Sequence, residues 1–178
     1  MINLFRAAFR MQTILDQRRW KYCFIGGVAV QHWGQPRFTK DVDLTILTGF
    51  GVEEKFIDEL LKHFPSRVPD ARKFAVRSRV LLLTTPEKID IDVSLGAFWF
   101  EQNAVQRARK ITVFDGVRLR LCTAEDLIVY KAFANRPIDW MGYRRNPRQA
   151  IQTHAGLGIH YHPAYPARTV EGGTGDCH

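Results

Sequence analysis

Phe24-Ile25-Gly26-Gly27-Val28-Ala29-Val30 and, a few residues on, Arg37-Phe38-Thr39-Lys40-Asp41-Val42-Asp43-Leu44-Thr45-Ile46 decide how this chain is read. The first stretch is a short apolar run that ends in two glycines and continues as a helix-like segment. The second is an apolar run carrying two carboxylates two residues apart. Alternate side chains of a strand share a face, which puts Asp41 and Asp43 about 7 Å apart along it. Both then come within reach of one hydrated divalent cation, and Mg²⁺ favours one or two carboxylates completed by waters and phosphate oxygens. Paired glycines ahead of a helix let a phosphate approach the backbone and meet the free N–H groups of the first turn. The combination implies a nucleoside triphosphate site that uses a metal.

A second acidic pair lies downstream. Arg79–Thr85 and Ile89–Leu95 read as two strands around a Pro86-Glu87-Lys88 turn. Asp90 and Asp92 alternate with Ile89, Ile91 and Val93, so both acids share one face and the apolar residues the other. Further on, Thr123-Ala124-Glu125-Asp126 has the form of a capping box with Asp in the place of Glu or Gln, and it opens an apolar helix from Leu127 to about Asn135. Lys131 is the one charged residue on that helix, and by spacing alone it reads as a snorkelling surface lysine.

Two glycines, a helix, Asp-x-Asp on the next strand and a further carboxylate on a later strand resemble the nucleotidyltransferase superfamily. Within it, Gly26-Gly27-Val28-Ala29 followed by Arg37-Phe38-Thr39-Lys40-Asp41-Val42-Asp43-Leu44 is most similar to the AbiEii/AbiGii-type toxin family, whose members are often paired with an antitoxin. The chain departs from the commonest form in spacing, with thirteen residues between Gly27 and Asp41, and in having glycine where serine is usual. The resemblance implies that Asp41, Asp43 and Asp92 bind Mg²⁺ or Mn²⁺ and that Asp92 also acts as general base. Asp90 is then either a neighbour in the site or a solvated end of the hairpin. It further implies that Gly26, Gly27, Arg37, Thr39 and Lys40 bind the NTP substrate. The run from Glu125 to Asp139 looks like the family's later motif, a lysine followed by Arg-x-x-Asp, which gives Lys131 a triphosphate contact and makes Asp139 a supporting carboxylate. Among acceptors the family implies tRNA, and among protein partners an antitoxin.

The rest of the first 141 residues reads as one α+β domain of nucleotidyltransferase type, a mixed sheet flanked by helices. Asn3–Arg19 is an amphipathic helix with Leu4, Ala7, Ala8, Met11, Ile14 and Leu15 on one side. Tyr22–Ile25 is the first strand, Val28–Trp33 a short helix and Asp41–Leu47 the second strand. Glu53–Phe64 and Phe98–Arg109 are helical, and Lys110–Phe114 and Val117–Cys122 flank an Asp115-Gly116 hairpin turn.

After Met141 the composition changes. Residues 142–178 hold no lysine, four of the six histidines, six of the thirteen glycines and three of the eight prolines. No helical or strand period persists there, and the closing helices that a family member would carry are missing. Two readings stay open: an atypical, divergent or disordered tail, or an out-of-frame product, since suitable codons for 142–160 read one base later give an amphipathic helix.

Composition excludes little. A hydrophobic fraction of 46% and a charged fraction of 25% are ordinary for a globular chain. No apolar run approaches the roughly 18 residues needed to span a membrane, and no signal peptide is read. Cys23, Cys122 and Cys177 are odd in number and lack a C-x-x-C spacing, so reduced thiols and a cytoplasmic location are expected. The net charge of +8 invites a nucleic-acid partner. Arg67, Arg72, Lys73, Arg77 and Arg79 form a basic stretch suited to RNA, with a solvated basic surface as the plain alternative. An enzyme acting on a small molecule or protein, and an inert nucleotide- or antitoxin-binding module, are the rival functions.

Overall fold

The computed structural model describes residues 2–34 and 39–134, with Phe133 and Ala134 placed by their backbone alone. Six strands form one mixed sheet in the order β3-β4-β2-β1-β6-β5. They are β1 (Tyr22–Phe24), β2 (Asp41–Leu47), β3 (Val80–Thr84), β4 (Asp90–Gly96), β5 (Arg109–Phe114) and β6 (Val117–Leu121). β3–β4 and β5–β6 are antiparallel hairpins. β1 runs antiparallel to β2 and parallel to β6, and β2 runs parallel to β4.

The period of two sorts each strand between two layers. Val42, Leu44, Ile46, Ile91, Val93, Leu95, Leu81 and Leu83 turn to one face, where they are buried with Leu4, Ala8, Met11 and Leu15 of α1 (Ile2–Gln17) and Ile57 and Leu60 of α3 (Glu54–Leu61). Truncating any of the leucines or isoleucines among them, or Met11, to alanine costs about 2–5 kcal/mol. The opposite face is covered over part of its length by α2 (Gly26–Trp33), α5 (Trp99–Arg107) and α6 (Ala124–Ala134), which enclose Cys23, Ile25, Ala29, Ala104, Val105, Cys122 and Leu127. Asp41, Asp43, Asp90 and Asp92 occupy the uncovered remainder of that face and are half-buried.

The hairpin turns follow their residues. Asp115 and Gly116 both adopt positive φ, 39° and 75°, the conformation that a two-residue turn joining right-twisted strands requires. Asp126 donates its backbone N–H to the Thr123 hydroxyl at 3.2 Å, so Thr123 caps α6 as expected. The Asp126 carboxylate, however, accepts from the Thr123 hydroxyl and from Arg107 instead of reaching back to the Thr123 amide.

One helix has no counterpart in the sequence reading. α4 (Ala71–Ser78) buries only Ala75, so it shows no apolar stripe. Arg79, expected to begin a strand, adopts left-handed φ of 57° and joins α4 to β3. Among the described residues no helix is long and apolar enough to cross a membrane. Arg37, Asp139 and the segment 142–178 lie outside the described residues.

Candidate functional site

β2 and β4 set the site. Their parallel register makes Asp41 the Cα partner of Asp90 and Asp43 the partner of Asp92. With strands about 4.8 Å apart and alternate residues about 7 Å apart, four carboxylates form a small rectangular array. Asp90, which sequence left as either a neighbour in the site or a solvated hairpin end, stands opposite Asp41 on the adjoining strand.

The N-terminus of α2 abuts this array. The helix begins at Gly26, two residues before the expected start, and the Gly27 N–H donates to Asp43 Oδ2 at 3.2 Å. Both glycines are needed here for space. Gly26 has φ +54°, and a Cβ on it would lie 2.0 Å from Asp43 Oδ2; a Cβ on Gly27 would lie 2.2 Å from Thr39 Oγ1. The Thr39 hydroxyl in turn donates to Asp41 Oδ1 at 2.6 Å. The two glycines, Thr39 and the Asp-x-Asp pair are thus one contacting unit.

Arg67 is the site residue that sequence reading placed elsewhere. Pro65–Arg67 lies along the outer edge of β3: Thr84 N–H donates to the Pro65 carbonyl at 2.9 Å, and Arg67 N–H to the Leu82 carbonyl at 3.0 Å. From there the guanidinium reaches across β3, donating Nε to the Leu83 carbonyl at 3.1 Å, Nη1 to Asp90 Oδ2 at 3.1 Å and Nη2 to Asp92 Oδ1. No local pattern announces this contact, because it depends on a loop pairing with a strand sixteen residues away.

The other expected residues are less closely tied. Lys40 is exposed beside Asp41. Lys131 stands half-buried on α6, the helix packed against α2, with no hydrogen bond or ion pair to a described residue. The basic stretch is largely neutralised within the chain. Arg67 holds Asp90 and Asp92, Arg72 pairs with Asp58 and Glu54, and Arg79 pairs with Glu53 at 2.6 Å. Arg79 also carries the Gly49 and Leu95 carbonyls, which makes it a structural tie. Lys73 and Arg77 remain exposed on α4.

The donor set is chemically suited to Mg²⁺ or Mn²⁺, being composed of carboxylate oxygens on one face. Among the described residues no three ligating side chains converge as a ready-made cage. One oxygen of Asp43 is held by Gly27, one of Asp41 by Thr39 and one of Asp92 by Arg67. That fits a cation bound through one or two carboxylates and completed by water and phosphate, which is the usual state of Mg²⁺.

Below the array the same face becomes a closed interior. Glu101 is buried, accepts the N–H groups of Ala97 and Phe98 at 2.8 and 2.9 Å, and receives the Thr45 hydroxyl at 3.3 Å. The Tyr130 hydroxyl is buried near Thr45 and Cys23, and burial above all drives its pKa upward. Burial also pushes the Cys122 thiol up to about 12, helped by the charge of Asp126, and raises Cys23 well above its ordinary range. Neither thiol has the character of a nucleophile. A cavity of about 630 Å³ lies at the far ends of β2 and β4, lined by residues that include Tyr22, Leu47, Gly96 and Arg120; it contains none of the four carboxylates.

No protein-family model matches the chain, and no curated protein matches it significantly. Solved structures do. An antigenic nucleotidyltransferase-like protein from Paracoccidioides brasiliensis aligns with 74% of this chain at 17% identity and a TM-score of 0.46, and the chain spans 65% of its length. The lincosamide antibiotic adenylyltransferase LnuA, bound to lincomycin, aligns with 74% of this chain and 88% of its own at 13% identity and a TM-score of 0.49. The antibiotic-resistance factor ANT(2'')-Ia aligns with 86% of this chain and 83% of its own at 18% identity and a TM-score of 0.50. At these identities the likeness is one of fold, and the α+β fold of nucleotidyltransferase type expected from the sequence is the fold observed.

Proposed function

We propose that this chain is a metal-dependent nucleotidyltransferase that moves a nucleoside monophosphate from an NTP to an acceptor hydroxyl. The observation that carries the reading is the contact of the α2 N-terminus with the carboxylate array through Gly27 and Asp43, at a point where no side chain larger than hydrogen fits. A helix N-terminus offers unpaired N–H groups and partial positive charge to phosphate. Placed against it, a triphosphate lies beside carboxylates able to hold its counter-ion.

In this reading Gly26 and Gly27 receive the phosphates, and Arg37, Lys40 and Lys131 neutralise them. Asp41, Asp43 and Asp92 hold Mg²⁺ or Mn²⁺, which when bound offsets charge on the attacking and leaving oxygens. Thr39 fixes the rotamer of Asp41, and Gly27 that of Asp43. Asp92 takes the proton of the acceptor hydroxyl as its oxygen forms a bond to the α-phosphorus. The bond from that phosphorus to the bridging β-phosphate oxygen breaks, and pyrophosphate leaves with the electron pair. Asp139 supports the site from the later motif.

By the AbiEii/AbiGii-type resemblance the acceptor is RNA, of the tRNA class, the chain is the toxin of a toxin–antitoxin pair, and its location is cytoplasmic. A second reading, a small-molecule or protein acceptor, is favoured by one observation. Arg67, Arg72 and Arg79, three of the five residues of the basic stretch, are engaged by acids of the chain itself. The test is to offer each α-labelled NTP with total tRNA, and in parallel with a panel of small-molecule and protein hydroxyl acceptors. Label on tRNA that is lost in Asp41→Ala/Asp43→Ala supports the first reading. Label only on a small acceptor selects the second, and label on neither from folded protein removes both.

A further inference from the structure

We infer that Arg67 is a built-in counter-ion of the carboxylate array, a positioning residue that bridges Asp90 and Asp92 and weakens the affinity of the site for divalent cations. The inference rests on reading Asp41, Asp43 and Asp92 as metal ligands, and goes beyond it by naming the group that opposes the metal.

Three features make Arg67 more than a surface ion pair. Its main chain is fixed to Leu82 and its Nε to the Leu83 carbonyl, so the fork arrives pre-oriented with little side-chain entropy left to lose. It engages two carboxylates at once, one nitrogen to each, across adjacent positions of the same strand face. Its side chain is only 28% exposed, which limits screening by water and salt.

The charge arithmetic gives the consequence. Four carboxylates packed at strand spacing repel one another, and the guanidinium offsets one of the two charges on the β4 side. A divalent cation approaching Asp92 meets a carboxylate whose Oδ1 is already donated to, and a positive charge at hydrogen-bond distance behind it. Arg67 therefore stabilises the metal-free array and is set against the metal-bound one. Half-exposed ion pairs each shift an equilibrium by a factor of about 1.5–5, so loss of both contacts tightens cation binding by about 2- to 25-fold.

The test is Mn²⁺ titration of the full chain by calorimetry, with thermal unfolding measured at zero and saturating Mn²⁺. Arg67→Gln is expected to lower the Kd for Mn²⁺ by about 2- to 25-fold, to melt earlier without metal and to gain more from saturating metal than the unaltered chain does. Arg67→Lys keeps the charge without the fork and falls between the two. Lys73→Gln, which removes an equal charge from exposed α4, stays within about twofold of the unaltered chain. Equal or weaker Mn²⁺ binding in Arg67→Gln overturns the inference, since Arg67 would then be orienting Asp92 as a ligand. A shift of the same size in Lys73→Gln also overturns it, by reducing the effect to net charge. If the unaltered, folded chain binds no Mn²⁺, the metal reading and this inference fall together, whereas binding with no shift in Arg67→Gln sinks the inference alone.

Discussion

Gly26→Ala tests the contact between α2 and the carboxylate array, and its cost can be worked from two terms. Gly26 sits at φ +54°, where an alanine loses about 1–2 kcal/mol against its favoured conformations. The added methyl would stand 2.0 Å from Oδ2, 2.5 Å from Cγ and 2.7 Å from Cβ of Asp43. Rotating the carboxylate relieves the first two contacts but not the third, so β2 or α2 must move, at a cost of about 1–3 kcal/mol for overpacking. The total is roughly 2–5 kcal/mol, which for a chain of this size lowers Tm by roughly 4–20 °C. Displacing Asp43 also removes its bond from Gly27, so NTP-induced stabilisation should vanish with it. Gly27→Ala is the instructive contrast. Gly27 carries no positive φ, alanine is the better helix former by about 1 kcal/mol, and the methyl meets the side chain of Thr39. Its Tm loss should be smaller than that of Gly26→Ala, and Thr39→Gly in the same chain should restore most of it. The assay is differential scanning calorimetry with and without Mg²⁺ and NTP. A Gly26→Ala protein that melts within about 1 °C of the unaltered chain and is still stabilised by NTP would refute the packing described here.

Other consequences follow from single contacts. Asp92→Asn keeps the shape of the array and should reduce transfer by about 10²–10⁴-fold, read as initial rates of pyrophosphate release with circular dichroism unchanged. Asp126 is almost fully buried and serves both Thr123 and Arg107; Asp126→Ala should cost about 1–3 kcal/mol in urea unfolding, and Arg107→Ala, which leaves the buried charge with the Thr123 hydroxyl alone, should cost no less. Cys122, Cys23, Tyr22 and Tyr130 all have folded pKa values raised above their unfolded ones by burial. Their stabilising effect is complete below about pH 8, under the unfolded thiol pKa, and is lost as pH rises through the folded values, about 12 for Cys122, so the urea midpoint should be flat from about pH 7 to 8 and fall above it. For the same reason Cys23 and Cys122 should resist alkylation in the native chain at pH 8 and react once it is unfolded.

Strand patterning made the core of this fold legible. Asp41–Leu47 spans the strand read from alternation, and α1 buries all six residues assigned to its apolar side. The hairpin acids were legible for the same reason, since a period of two puts Asp90 and Asp92 on one face whatever lies beside them. What alternation cannot supply is the pairing of strands. That Asp43 faces Asp92 across β2 and β4 follows from a parallel register between segments far apart in the chain. α4 was invisible because a helix that buries one alanine has no stripe to detect. Arg67, Arg72 and Arg79 were grouped by proximity in sequence, and the fold sends each to a different acid. Three of the five residues of that stretch are thus paired with acids of the chain itself, while Lys73 and Arg77 stay exposed on α4.

The central claim is transfer of the α-phosphoryl unit with its nucleoside, and isotope position tests it most directly. Folded protein with Mg²⁺ and total tRNA or a small hydroxyl acceptor would be given the same NTP labelled at either the α- or the γ-phosphorus. The account predicts that label reaches the acceptor from the α position only, that γ-label leaves as pyrophosphate, and that both signals disappear in Asp41→Ala/Asp43→Ala. Acceptor labelled from the γ position, or transfer that survives the double substitution, would contradict it.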